Sequence, residues 1–309
     1  MPRLLPINSA IAHDLEPFAR VRLIVVDLDG TLLDPKWSVV EFIQSSIPRL
    51  RVRGIRFTIA TGRAFRGIEE VLPRLGLPSS MPLALYNGSL IVDAARRKIF
   101  HSRVIPAVVV AQAVRWGLEK GVPVLCYPLP VIRSSGLLES PMGFTPDGYP
   151  PLHSEPNGYE VDWRGPKYSD SVPDCLAVLV DLRHLNGIMW EHACFDHPGV
   201  TVTQSSSSFL EFRPAGGDKG MATKIIASKL GVPLSAVMAI GDNDNDIEML
   251  KTAGVSVSVG NASTNLQAVA AYNTPLTSAQ GCIQIIRLVI AAHRYREVIM
   301  KNKEQIRNE

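Results

Sequence analysis

Cysteine is scarce in this 309-residue chain: Cys126, Cys175, Cys194 and Cys282 are its four, far apart and without a C-x-x-C pair. That argues against a disulfide framework and against thiolate zinc sites, and suits free, buried thiols in a reducing compartment. An excess of one charge is missing too, since 32 basic side chains meet 29 acidic ones for a net charge of +3. Proteins that hold nucleic acid usually carry a strongly basic face, so no nucleic-acid partner is expected. Long hydrophobic runs are absent. The best stretch, Ile283–Ala292, is interrupted by Gln284 and Arg287 and falls short of the ~18 apolar residues of a membrane helix. Asp14 and Glu16 break the opening residues, so no secretory signal is expected, and a soluble cytoplasmic protein without a membrane partner is the default reading. Gly and Pro, at 23 each, are too few for a collagen-like chain, and no heptad run suggests a coiled coil.

What is present is apolar and folded in character. Hydrophobic residues make up 46% of the chain and charged ones 20%, which excludes a disordered polyelectrolyte. The length corresponds to about two domains and allows a core without staples. From Arg22 onward, short apolar runs alternate with helical stretches. Leu23–Asp27, Ile55–Ala60, Pro82–Tyr86 and Ala236–Ile240 read as strands of a parallel sheet covered on both faces. Helices are expected at Val39–Arg53, Ala64–Leu75, Gly220–Leu230 and Asp244–Lys251. Pro48 should make the first of these start late or kink. Alternating β and α units specify an α/β fold with a doubly wound, Rossmann-like sheet.

The middle differs in texture. Residues 123–173 hold ten of the 23 prolines, flanked by strand-like runs at Lys98–Val104, Val122–Tyr127, Leu176–Asp181, Val200–Gln204 and Phe209–Phe212. Helical runs at Ala107–Lys120 and Arg183–Asp196 lie among them. Residues 92–210 therefore read as an inserted α+β unit containing a long irregular loop, dividing the core into 21–91 and 211–309. The segment after Gly281 reads as a packed helix, with Ile283, Ile286 and Ile290 on one face, fraying into a charged tail.

Four short motifs stand at strand ends or helix starts. The first strand ends in Asp27-Leu-Asp29-Gly30-Thr31, two carboxylates before a glycine turn that can expose backbone N–H groups. Ligands of open α/β sheets bind at such carboxyl ends. Thr61-Gly62-Arg63 follows the second strand, where a hydroxyl and a helix start suit a phosphate oxygen, although the same residues also make a plain turn. Gly241-Asp242-Asn243-Asp244-Asn245-Asp246 crowds three carboxylates and two amides into five residues. Such oxygen-rich ligation suits Mg²⁺. An EF-hand is excluded because its twelfth position, counted from Asp242, is Ala253 and a strand precedes the loop. An acidic helix N-terminus is the plainer alternative. Lys219, in Gly216-Gly-Asp-Lys-Gly220, could neutralise a phosphate or the crowded carboxylates.

Taken together, these four motifs resemble those of the haloacid dehalogenase-like superfamily. The Gly-Asp-x-x-Asn-Asp form continued by Ile247-Glu-Met-Leu250, together with Tyr86-Asn-Gly88 and Leu210-Glu-Phe212, is similar to its Cof-type phosphatases with a large α/β cap. The resemblance implies Asp27 as nucleophile forming an aspartyl-phosphate, and Asp29 as general acid and then base. It implies Mg²⁺ held by the carboxylates of Asp27 and Asp242 and the carbonyl of Asp29, with Asp246 acting through water. Thr61, Gly62, Lys219 and Asn245 would hold the phosphate. The implied activity is Mg²⁺-dependent hydrolysis of a small phosphorylated metabolite, such as a sugar phosphate or phosphorylated cofactor. A phosphosugar phosphotransferase or mutase and a non-catalytic phosphometabolite-binding module are the competing readings. Oligomeric state is not legible.

Two other clusters read as structural. His192-Ala-Cys194-Phe-Asp-His197 imitates a metal site in composition, but its histidines fall on different helix faces. Trp163 and Tyr159 are expected to pack the Pro-rich loop rather than line a pocket.

Overall fold

Leu23-Ile-Val-Val26 has no polar alternation, and all four side chains are buried, as a strand covered on both faces requires. In the computed structural model, which describes residues 3–4, 15–33, 39–95, 97–147, 160–182, 197–204 and 209–308, it lies inside a six-stranded sheet. The strand order is Arg3–Leu4, Tyr272–Asn273, Val255–Ser258, Val237–Gly241, Leu23–Val26 and Arg56–Ile59. Every neighbouring pair is parallel. The register sets Ile240 beside Val26 and Val26 beside Ile59, so three chains leave the sheet side by side. Pro82–Leu85, expected as a further sheet strand, instead meets the end of this sheet through one parallel bridge, Ala60 to Ala84.

The helices show where proline and glycine overrule apolar spacing. Val40–Arg51 is one helix running through Pro48; it does not start late. The ring removes the N–H that would bond the Gln44 carbonyl. The helix nevertheless ends normally, with Val52 N–H donating to Pro48 O. Ala64–Leu75 is not the continuous helix expected. It breaks into a 3₁₀ turn at Arg66–Ile68 and a single turn at Leu72–Leu75, which begins with Pro73 near its N-terminus and ends at left-handed Gly76. Helices Lys219–Lys229 and Ile247–Thr252 stand near their expected places, the latter preceded by a 3₁₀ turn at Asp244–Asp246. The C-terminal helix spans Ser278–Asn308 without the expected fraying. It buries Cys282, Ile285, Ile286, Val289 and Ile290, while Ile283 is only half-buried. No helix of the described residues is long and apolar enough to cross a membrane.

A second sheet is built from the middle of the chain, in the order Asp162–Arg164, Met142–Phe144, Val124–Pro128, Cys175–Asp181, Phe209–Pro214 and Val200–Gln204. Its pairs are antiparallel except for the first. Helix Ala107–Glu119 buries Val109, Val110, Ala113 and Val114 in a core with Val124, Phe144, Val178 and Phe212. The described part of the Pro-rich section is not a long irregular loop, since it carries strands at Val131–Arg133, Gly136–Leu138, Met142–Phe144 and Asp162–Arg164. Trp163 packs flat against Gly143, where an added Cβ would come within 2.4 Å of the indole. Tyr159 and the expected helix at Arg183–Asp196 lie outside the described residues. So does most of His192–His197; of that cluster, His197 is described, and its Nδ1 accepts from Gly199 N–H at 3.0 Å.

The architecture is therefore α/β, a parallel sheet core with an inserted α+β unit. By contacts the chain forms two compact units. One comprises Met1–Thr61, Glu70–Ala84 and Lys219–Glu309; the other comprises Gly62–Glu69 and Leu85–Asp218.

Candidate active site

The carboxyl edge of the parallel sheet is where the acidic motifs converge. Asp27 N–H donates to Ile240 O at 2.9 Å, and Ala60 N–H donates to Val26 O at 2.9 Å, so Asp27 makes such a bond itself and Thr61 stands one residue past one. Asp242 follows Gly241, the last residue of the neighbouring strand. Strand register alone thus gathers motifs separated by more than 200 residues.

Gly30 is required by the turn that follows Asp27. Its φ is +76°, in the region that disfavours other residues, and a Cβ there would sit 2.3 Å from Asp242 Oδ2. The turn brings Thr31 Oγ1 to donate to Asp242 Oδ1 at 2.6 Å. Asn261 completes the brace, its Nδ2 donating to Gly30 O at 2.9 Å and lying 3.4 Å from Asp242 Oδ2. The sequence reading gave Thr31 no role and passed over Asn261. The signal for Asn261 was its place in Gly260-Asn-Ala262, just past another strand of the same sheet.

Lys219 is fully buried, with 0% of its surface exposed, at the first position of its helix. Its Nζ donates to Asp27 Oδ1 at 2.5 Å and to Asp246 Oδ1 at 2.6 Å. Burial alone would lower its pKa, but the charges of Asp246 and Asp27 outweigh it and raise the pKa above the ordinary lysine value. The carboxyl of Asp27 is pushed well above the usual carboxylate range, chiefly by burial, with Lys219 opposing and Asp246 and Asp242 adding repulsion. Asp242 is raised by burial too, against the hydrogen bond from Thr31.

Asp246 is occupied at both oxygens. Oδ1 takes Lys219, while Oδ2 accepts from Asp242 N–H at 3.0 Å and from Asn243 N–H at 3.2 Å, the carboxylate half of a capping box. Asp244 faces a different task. Ser263 Oγ donates to its Oδ1 at 2.5 Å and Asn265 Nδ2 to its Oδ2 at 2.9 Å, which pins the loop to the next helix.

Asp27, Asp242 and Asp246 each bring a carboxylate oxygen within 4.8 Å of the others. The Lys219 ammonium offsets one of three negative charges in a largely buried place. An all-oxygen, anionic donor set with a charge deficit fits a hard divalent cation such as Mg²⁺ and does not fit a thiophilic metal.

The remaining expected residues are not part of this carboxylate cluster. Asp29 is exposed two residues beyond Asp27 and bridges to Leu33. Thr61 is buried, with its N–H donating to Ala84 O at 2.9 Å. Asn245 is exposed on the turn Asp244–Asp246. Gly62 belongs to the other contact unit, against the side chain of Asn87.

Comparison with known proteins supplies relatives for this geometry. A family model described as haloacid dehalogenase-like hydrolase matches residues 24–286. The HMP-PP phosphatase of Cronobacter sakazakii is 29% identical over 264 residues, covering 80% of this chain and 87% of its own. The chloroplastic endoribonuclease YBEY of Arabidopsis thaliana is 25% identical over 257 residues, and there the chain spans only 43% of the relative's length. Among solved structures, a haloacid dehalogenase-like hydrolase from Bacteroides thetaiotaomicron aligns with a TM-score of 0.66 at 24% identity, over 86% of this chain and 98% of that one.

Proposed function

Because this chain belongs to the haloacid dehalogenase-like hydrolases, we propose that it is a Cof-type, Mg²⁺-dependent phosphatase acting on small phosphorylated metabolites through an aspartyl-phosphate on Asp27. The observation that carries the reading is the buried ammonium of Lys219 held between Asp27 and Asp246, with Asp242 beside them. A carboxylate nucleophile needs its charge offset before it can approach a phosphate dianion. Lys219 provides part of that offset. Asp27, Asp242 and the Asp29 carbonyl would hold Mg²⁺, with Asp246 acting through water, and bound Mg²⁺ would supply the rest of the positive charge.

The chain's own residues then divide the work. Asp27 attacks phosphorus through a carboxylate oxygen as the ester P–O bond breaks, and the Asp29 carboxylic acid gives its proton to the departing alkoxide. Asp29, now a carboxylate, takes a proton from water. The resulting hydroxide attacks the phosphorus of the acyl phosphate, releasing inorganic phosphate and restoring the Asp27 carboxylate. Asp29 is exposed, whereas Asp27 is not, so water and a leaving group have access to its side chain. Thr61, the Gly62 backbone, Lys219 and Asn245 hold the non-reacting phosphate oxygens. The inserted unit serves as the cap, and residues 92–210 choose among substrates. The HMP-PP phosphatase relative supports a phosphorylated small molecule as the substrate class. The test is a panel of phosphate esters assayed with Mg²⁺. Release of free inorganic phosphate without an added acceptor supports hydrolysis, whereas consumption of the ester only with a sugar acceptor, the phosphoryl group being recovered on that sugar, supports phosphotransfer instead.

A further inference from the structure

Tyr86 and Asn87 are consecutive non-glycine residues in the left-handed region, at φ +50° and +54°. Asparagine tolerates that backbone, but a tyrosine there is an outlier that must be held by its surroundings. Tyr86 N–H donates to Arg63 O at 3.1 Å, and its hydroxyl donates to Glu139 Oε1 at 2.7 Å. Glu139 also accepts from Phe65 N–H at 3.2 Å and Arg66 N–H at 3.3 Å. Asn87 is buried, and its Nδ2 donates to Glu211 at 3.1 Å from Oε1 and 3.3 Å from Oε2. Glu211 is buried on strand Phe209–Pro214, with Arg213 Nε 4.0 Å from Oε1. The amide so held lies over Gly62. A Cβ on Gly62 would be 3.2 Å from both Asn87 Nδ2 and Oδ1.

We propose that Glu211 is a positioning residue for the phosphate loop, acting by clamping the Asn87 amide against Gly62 and thereby setting the path of Thr61-Gly62-Arg63. The inference rests on the reading above that this loop holds the substrate phosphate. Three features converge on it. A buried carboxylate that accepts from the amide's Nδ2 at both of its oxygens fixes the plane and direction of that amide. The absence of a side chain on Gly62 admits the amide to the backbone itself, so the contact reaches the loop without an intermediary. The strain at Tyr86 and Asn87 persists because Arg63, Glu139 and Glu211 hold the turn at separate points, two of them on the stretch that carries the phosphate loop or binds it. Glu211 touches neither phosphate nor Asp27, so its effect runs through Asn87.

The experiment compares Asn87→Asp, Glu211→Gln and the double variant, with Thr61→Ala as a reference. Inorganic phosphate binding is measured by calorimetry with Mg²⁺ present, beside turnover of p-nitrophenyl phosphate and the thermal unfolding midpoint. Asn87→Asp opposes two carboxylates and is expected to weaken phosphate binding and kcat/KM about tenfold. Adding Glu211→Gln lets the introduced amide donate to the introduced carboxylate, which restores both to within about threefold of wild type. A merely structural role would not make phosphate affinity follow the polarity of this pair at matched unfolding midpoints. Unchanged phosphate binding in Asn87→Asp, or a double variant no better than the singles combined, overturns the proposal. Should Asn87→Asp fail to fold, Glu211→Gln alone decides: about threefold weaker phosphate binding supports the clamp, and wild-type binding overturns it. Weakened binding in Thr61→Ala with none in Asn87→Asp rejects the clamp alone. Wild-type binding in Thr61→Ala rejects the phosphate loop and the clamp with it.

Discussion

Lys219 Nζ donates to Asp27 Oδ1 across 2.5 Å, although 192 positions separate the two residues in the chain. One buried ammonium thereby stabilises a carboxylate that burial disfavours, and it donates as well to Asp246 Oδ1 at 2.6 Å. Replacing it exposes how much each depends on it. Lys219→Met leaves the carboxylates buried without their cation, which costs about 3–5 kcal/mol of stability. Urea unfolding measures that loss, and phosphate release by the same variant should vanish. A stability change within the range of a surface substitution contradicts the ion triad.

Asp242 and Asp244 lie two residues apart and differ in task. Asp242 joins the cluster with Asp27 and Asp246, whereas both oxygens of Asp244 are taken by Ser263 and Asn265. Asp242→Asn is therefore expected to raise the Mg²⁺ concentration for half-maximal activity far more than Asp244→Asn, which should act chiefly on stability. Equal shifts in Mg²⁺ titrations of the two variants undo this assignment.

Gly30→Ala tests the turn. Alanine must adopt the left-handed backbone, at about 1–2 kcal/mol, and its methyl group meets the Asp242 carboxylate. Lower stability together with a raised Mg²⁺ requirement is expected, because the displaced carboxylate is one of the three in the cluster. A variant with wild-type Mg²⁺ dependence contradicts the packing of Gly30 on Asp242.

His293 sets a pH limit away from the active site. Its Nε2 lies 3.0 Å from Val21 O inside the C-terminal helix packing. Burial lowers its pKa, Arg22 adds to the effect, and the Val21 carbonyl opposes it. An unfolded chain takes up a proton near the ordinary value of about 6.5, which the folded chain resists until lower pH. The contribution of His293 is thus fully present above about pH 6.5 and is lost as pH falls through the folded pKa. Urea unfolding at about pH 8 and about pH 5.5 should show that loss, smaller in His293→Gln than in wild type. The same loss in both proteins assigns the pH dependence elsewhere.

Much of this centre was legible in the sequence because short-range chemistry and strand order coincide. Asp27, Thr61 and Asp242 each follow an apolar run, and a parallel sheet turns such positions into neighbours. Boundaries were less legible where competing effects act. Apolar spacing over Ala64–Leu75 promises a helix, but Gly67 and Pro73 interrupt it. Pro48 promises a break that the surrounding turns of Val40–Arg51 absorb. The described part of the Pro-rich section pairs into strands because its described prolines lie mostly at strand ends and between strands. Asn87 and Glu211 were marked only by the motifs Tyr86-Asn-Gly88 and Leu210-Glu-Phe212, and neither spacing nor composition ties that amide to a carboxylate 124 residues away; the contact of Tyr86 with Glu139 had no signal at all.

Phosphate release by Asp27→Asn, assayed with Mg²⁺ against the best ester of the panel, tests the central claim most directly. The account predicts a loss of at least about a thousandfold, since a neutral amide cannot form the acyl phosphate, with the cooperative unfolding transition preserved. Activity within about tenfold of wild type would show that Asp27 is not the nucleophile.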